Sequence, residues 1–142
     1  CTGGYAAKRI TDISGASEVF DCGIISYSNE IKNKILGVNE DDLKKYGAVS
    51  ENVAKQMAEG VRKISGADYG IGITGIAGPL SDSTNKPVGL SYVALSDGET
   101  TECLEIMTGR KDRDYNRYVN GSRAFDLVRR NIMRKYEKEE QK

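Results

Sequence analysis

The chain has 142 residues, 38% of them hydrophobic and 30% charged, with 21 basic and 21 acidic side chains and a formal net charge of zero. That length suits one domain with a single core, and balanced charge supplies no field for gathering DNA or RNA, so no nucleic-acid partner is expected. Histidine is absent, which removes Ser-His and Cys-His nucleophile designs and the commonest metal ligand; no apolar run is long enough to span a bilayer, so no membrane partner is expected either.

In chain order, Thr2-Gly3-Gly4 reads as a loop that opens a helix over Tyr5 to Ile10. Gly23-Ile24-Ile25-Ser26-Tyr27 reads as a short buried strand. Ser28 and Asn29 are N-cap residues for a helix over Glu30 to Leu36, stopped by Gly37. A further short helix starts at Asn39 or Asp41 and ends at Gly47. Ser50 caps a longer helix in which Val53, Met57, Val61 and Ile64 recur at helical spacing. Tyr69 to Ile73 reads as a strand leading into Thr74-Gly75-Ile76-Ala77-Gly78-Pro79, and Leu80 to Asn85 as an exposed loop. Val88 to Leu95 and Glu99 to Met107 form a hairpin around Asp97-Gly98. A last helix runs from about Asp112 to Tyr136, with Tyr118, Phe125, Val128 and Ile132 on its apolar side. Strands alternating with helices, plus one hairpin, predict an α/β fold: a three-layer α/β/α sandwich with a mixed sheet.

Cys1, Cys22 and Cys103 lie far apart, odd in number and without a C-x-x-C pair. They read as reduced thiols in a cytoplasmic setting. The chain opens on Cys rather than Met, so the natural start is expected upstream.

Two glycine-rich loops carry the expected ligand site. The Thr74 to Pro79 loop leaves a strand end, where open α/β sheets bind ligands, and its small residues let a ligand reach the backbone. The Cys1-Thr2-Gly3-Gly4 loop precedes a helix, a setting suited to an anion or a developing oxyanion. Without histidine, a general base must be Lys, Asp, Glu, Tyr or a terminal amine. Lys32 and Tyr27 fall at the same strand-to-helix corner, and a lysine desolvated there can serve as a base. Arg110, Lys111, Arg113 and Arg117 crowd the start of the last helix, where arginines can grip a phosphate.

These segments, in order with Thr11-Asp12-Ile13-Ser14-Gly15-Ala16-Ser17, Gly47-Ala48-Val49-Ser50 and Lys86-Pro87-Val88-Gly89, resemble the C-terminal domain of the CinA family, the nicotinamide-nucleotide amidases. The resemblance covers nearly all of residues 1–142. It implies hydrolysis of the carboxamide of nicotinamide mononucleotide to nicotinate mononucleotide and ammonia, in a homodimer, with no cofactor and no metal. The family's serine nucleophile stands in Ala-Glu-Ser-Cys-Thr-Gly-Gly, which puts the serine immediately before Cys1 and an upstream helix and strand before that. Lys32 would take the serine proton and Tyr27 would orient or polarise the pair. Thr74 would bind at the carboxamide or hold the nucleophile. The backbone of Thr2, Gly3, Gly4, Gly75, Ile76, Ala77 and Gly78 would receive the oxyanion and the nucleotide, and Arg113 would hold the 5′-phosphate. Two departures stand out: Leu80 to Asn85 lacks the family's glycine pair, and Gly109-Arg110-Lys111-Asp112-Arg113 blurs its Gly-x-Arg. Two rival readings remain. One is a nucleotide-binding regulatory module without turnover. The other is an N-terminal Cys1 nucleophile with its own α-amine as base.

Overall fold

The computed structural model describes residues 1–142. Helix α1 (Tyr5–Thr11) leaves the first glycine loop without a side-chain cap, and a single 3-10 turn follows at Ala16–Glu18. The other helices start on side-chain caps, each satisfying a backbone N–H that the helix leaves without a partner. Ser28 Oγ accepts from Ile31 N–H to open α2 (Asn29–Leu36). Asn39 Oδ1 accepts from Asp41 and Asp42 to open α3 (Glu40–Tyr46). Ser50 does the same for α4 (Glu51–Ser65), and Asp112 for α5 (Arg113–Glu140).

Strands β1 (Gly70–Gly75), β2 (Leu90–Ser96) and β3 (Thr101–Met107) form one sheet in the order β1-β2-β3. Both pairings are antiparallel, with Gly70 opposite Ser96 and Leu90 opposite Met107. Asp97 builds the β2–β3 turn: its carboxylate accepts from the amides of Glu99 and Thr100 and from Asn131 Nδ2.

Alternation along the strands divides the side chains between two helical layers. Val93, Leu95 and Ile106, with Ile71 and Ile73, pack on Ala124 and Leu127 of α5. Ala94 on the opposite face meets Ala54 and Ala58 of α4. The three-layer α/β/α sandwich is therefore present. Glycine brings α4 onto the sheet: a Cβ at Gly70 would stand 2.1 Å from Ala58 O, and one at Gly72 would stand 2.2 Å from Ala54 O. Gly72→Ala should therefore lower stability by roughly 1–3 kcal/mol through overpacking, read as a drop of several degrees in the melting temperature. An unchanged melt would mean that α4 can slide away freely.

Three expectations need correction. The sheet is antiparallel throughout rather than mixed. Gly23–Tyr27 joins no ladder. A strand requires partners for its N–H and C=O groups as well as apolar side chains, and here Lys32 Nζ takes the carbonyls of Ser26 and Tyr27 instead. The buried face of α5 runs through Asn116, Asn120, Ala124, Leu127 and Asn131, while Tyr118 and Ile132 are exposed. The apolar periodicity misplaces this face because its asparagines are buried, with the amides of Asn116 and Asn120 bonded at both ends across the fold and Asn131 bonded through Nδ2 alone.

An apolar groove of about 1110 Å³ runs beside the outer edge of β1, lined by Ile10, Phe20, Ile25, Ile71, Val128 and Ile132 among others. Of the expected site residues only Thr2 and Gly4 reach it. No helix is long and apolar enough to cross a membrane.

Candidate functional site

Lys32 lies on the inner face of α2 beside Leu36 and is 6% exposed. Its Nζ donates to Ser26 O at 2.6 Å and Tyr27 O at 3.4 Å. Burial alone pushes its pKa below the ordinary lysine value, with no carboxylate contributing. A lysine buried in this way without a carboxylate partner can shed its proton more readily than a surface lysine, as a general base requires.

Across from Lys32 lies the first glycine loop. Gly3 and Gly4 hold φ of 60° and 91°, a left-handed turn that glycine adopts without strain. Between the two sides is a small cavity of about 50 Å³, lined by Cys1, Thr2, Gly3, Gly4, Ser26 and Lys32 among others. It has room for a functional group or a water rather than a whole nucleotide. Ser26 adds a feature that the sequence does not single out: its hydroxyl is buried in this wall with no hydrogen-bond partner.

The other expected residues are placed differently. The Tyr27 side chain is 75% exposed, and Tyr27 meets Lys32 through its backbone carbonyl. Thr74 is 4% exposed, and its Oγ1 donates to Ala48 O at 2.7 Å, committing that proton to the α3–α4 corner. Ile76 packs in a core cluster with Val49 and Leu90, and Ala77 is buried, so only the backbone of this loop can face a ligand. Thr74 to Gly78 do not line the small cavity. Lys86 Nζ donates to the carbonyls of Tyr46 and Val49, tying the exposed Leu80–Asn85 segment to the same corner.

Helix α5 supplies the arginines. Arg113 Nη1 donates to Gly78 O at 2.7 Å. Arg117 Nε donates to Cys1 O at 3.3 Å, and its Nη2 lies 3.4 Å from where a Cβ on Gly3 would stand. Lys32, Arg117 and Arg113 all stand close enough to Cys1 for their positive charges to act there. Positive charge from two helices, α2 and α5, thus converges on Cys1, an arrangement suited to an anionic group or a developing oxyanion.

An antiparallel sheet between two helical layers, with a buried lysine facing a glycine loop under an arginine-bearing helix, defines an α/β domain with a candidate ligand site. The CinA C-terminal domain model matches residues 1–132, and the chain belongs to that family. It is 52% identical to a CinA-like protein from Desulfovibrio desulfuricans, over 93% of this chain and 32% of that protein. A CinA-like protein from Gloeothece citriformis is 49% identical over 94% of this chain and 32% of its own length. The chain thus spans about a third of these relatives. The crystal structure of competence/damage inducible protein CihA from Agrobacterium tumefaciens superposes with a TM-score of 0.86 at 37% identity, covering 90% of this chain and 78% of that one. The competence damage-inducible protein A from Klebsiella pneumoniae superposes at 0.89 with 26% identity, covering 94% of this chain and 82% of that one.

Proposed function

We infer that the domain hydrolyses the carboxamide of nicotinamide mononucleotide, with a serine immediately before Cys1 as nucleophile and Lys32 as base. The observation that carries this reading is the buried Lys32 ammonium, without a carboxylate partner, facing the first glycine loop. Neutral Lys32 takes the serine proton as Oγ attacks the carboxamide carbon. The tetrahedral oxyanion is received by backbone N–H groups of the glycine loops. Lys32 then returns the proton to the departing nitrogen, which leaves as ammonia. Water, deprotonated by Lys32, releases nicotinate mononucleotide from the acyl-serine. The carboxamide occupies the small cavity, with the Ser26 hydroxyl as a hydrogen-bonding partner, and the phosphate lies outside it against Arg117.

Because Lys32 works as the free base, kcat/KM rises with pH to a plateau, with a midpoint below the ordinary lysine value near 10.4. Release of ammonia by the full-length protein, followed across pH, tests this. A rate that falls as pH rises through 7 to 9 removes Lys32 as base. Binding of the mononucleotide without ammonia release favours a regulatory module.

A second reading holds only for a mature chain that starts at Cys1: its α-amine, held down to about 6 by burial, would then be a free base at neutral pH beside its own thiol. Mass spectrometry of the natural protein decides it: a mature chain starting at Cys1 supports an N-terminal cysteine nucleophile, and a longer one removes it.

A further inference from the structure

Helix α5 carries the pattern Arg-x-x-Asn twice in succession, Arg113-Asp114-Tyr115-Asn116 and Arg117-Tyr118-Val119-Asn120. The two copies are offset by four residues, so they repeat on one face one helical turn apart, about 6 Å along the axis. Each copy holds a different glycine loop. In the first, Arg113 Nη1 donates to Gly78 O at 2.7 Å and Asn116 Nδ2 donates to Ala77 O at 2.8 Å. In the second, Arg117 Nε donates to Cys1 O at 3.3 Å and Asn120 Nδ2 donates to Cys1 Sγ at 3.3 Å.

Both asparagines are deeply buried, and their remaining groups are fixed from behind. Asn116 Nδ2 also donates to Arg110 O, and its Oδ1 accepts from Thr108 Oγ1. Asn120 Oδ1 accepts from Ser91 Oγ at 2.6 Å. Ser91 stands opposite Gly75 in the β1–β2 register, and a Cβ on Gly75 would fall 2.4 Å from Ser91 Cβ. The base of the second loop therefore leaves room for the serine that orients the asparagine gripping the first loop. Asn116 has one orientation, because turning it over would put its Oδ1 against the carbonyls of Ala77 and Arg110, acceptor against acceptor.

We propose that Asn116 and Asn120 are positioning residues: with Arg113 and Arg117 they make α5 a double clamp that sets the distance between the two glycine loops. Its catalytic consequence rests on the amide-hydrolase reading, since nucleophile and oxyanion donors must be held to within a fraction of an ångström. The clamp itself does not rest on that reading.

The test uses the full-length protein and two probes that need no substrate. Alkylation of Cys1 by iodoacetamide, resolved by peptide mass, reports the first loop, with Cys22 and Cys103 as internal controls. Amide exchange at Ile76 and Gly89, bonded to Leu90 O and Ile76 O at 2.9 and 2.8 Å, reports the second. Asn120→Ala should speed Cys1 alkylation at least about fivefold, with Ile76 and Gly89 exchange within about twofold of the parent. Asn116→Ala should do the reverse. Both variants should lower kcat about tenfold or more with KM within about twofold. Equal loosening of both loops by each variant, or of neither, overturns the clamp. If Asn120→Ala does not fold, Ser91→Ala removes only the orienting hydroxyl and should give the same Cys1-selective acceleration; unchanged Cys1 reactivity in that variant also overturns it. Loop-selective effects in a parent protein that releases no ammonia keep the clamp and remove the amidase.

Discussion

Lys32→Met in the full-length protein should lower turnover by about 10²–10⁴-fold, the range expected for loss of a general base, while leaving a folded protein that melts higher than its parent at neutral pH. The two effects share one cause. Lys32 is buried against neutral carbonyls, and burial lowers its pKa. The folded state therefore holds this proton less tightly than the unfolded chain does. Stability rises with pH between the folded value and the unfolded value near 10.4, and below that window the buried charge is a standing cost. Methionine fills similar space without charge. Removing the buried charge should raise stability at pH 7, less the cost of leaving the Ser26 and Tyr27 carbonyls without their donor, and the advantage should shrink as pH approaches 10. Thermal melts at pH 7 and 10 alongside ammonia release separate the outcomes. A variant that melts higher yet keeps full turnover would show a buried lysine with no part in the chemistry. Loss of function together with gain of stability is the trade-off expected where a site keeps a strained group for its reactivity.

Arg117→Leu should lower kcat/KM for the mononucleotide by roughly 10–100-fold, the loss of one charged hydrogen bond to phosphate, and should affect nicotinamide riboside, which lacks the phosphate, far less. Arg117 is the stronger candidate because its guanidinium lies over Gly3 beside Cys1. Arg113, the choice from sequence, has a guanidinium nitrogen bonded to Gly78 O, so Arg113→Leu should act mainly through the second loop. Comparison of the two substrates for both variants decides between them. Equal losses on the riboside and the mononucleotide would leave Arg117 a loop anchor without a phosphate role.

Much of the fold is legible because its signals are local. Ser28, Asn39, Ser50 and Asp112 announce their helices by the side-chain oxygens that cap them. Asp97-Gly98 announces the hairpin, and the strand-to-helix corner that holds Lys32 lies beside the first glycine loop. What is not legible depends on contacts between distant residues. Gly23–Tyr27 has the composition of a strand, but its partners decide, and two of its carbonyls go to an ammonium. Tyr27 is near Lys32 in sequence and in space, yet its ring turns outward. Thr74 sits at the strand end as expected, with its hydroxyl already committed to Ala48. Asn120 and Arg117 reach Cys1 across 119 and 116 residues. A signal for them was nonetheless present: positions 113, 116, 117 and 120 share one helical face, and a polar stripe there with two asparagines is unlike a solvated run of charge.

Ammonia released from nicotinamide mononucleotide by the full-length protein, in the presence of a chelator and beside its Lys32→Met variant, is the most direct measurement. Stoichiometric ammonia and nicotinate mononucleotide from the parent, and almost none from the variant, is the expected outcome. No ammonia from a folded parent that binds the mononucleotide, or equal ammonia from both proteins, would refute the Lys32-dependent amide hydrolysis proposed above.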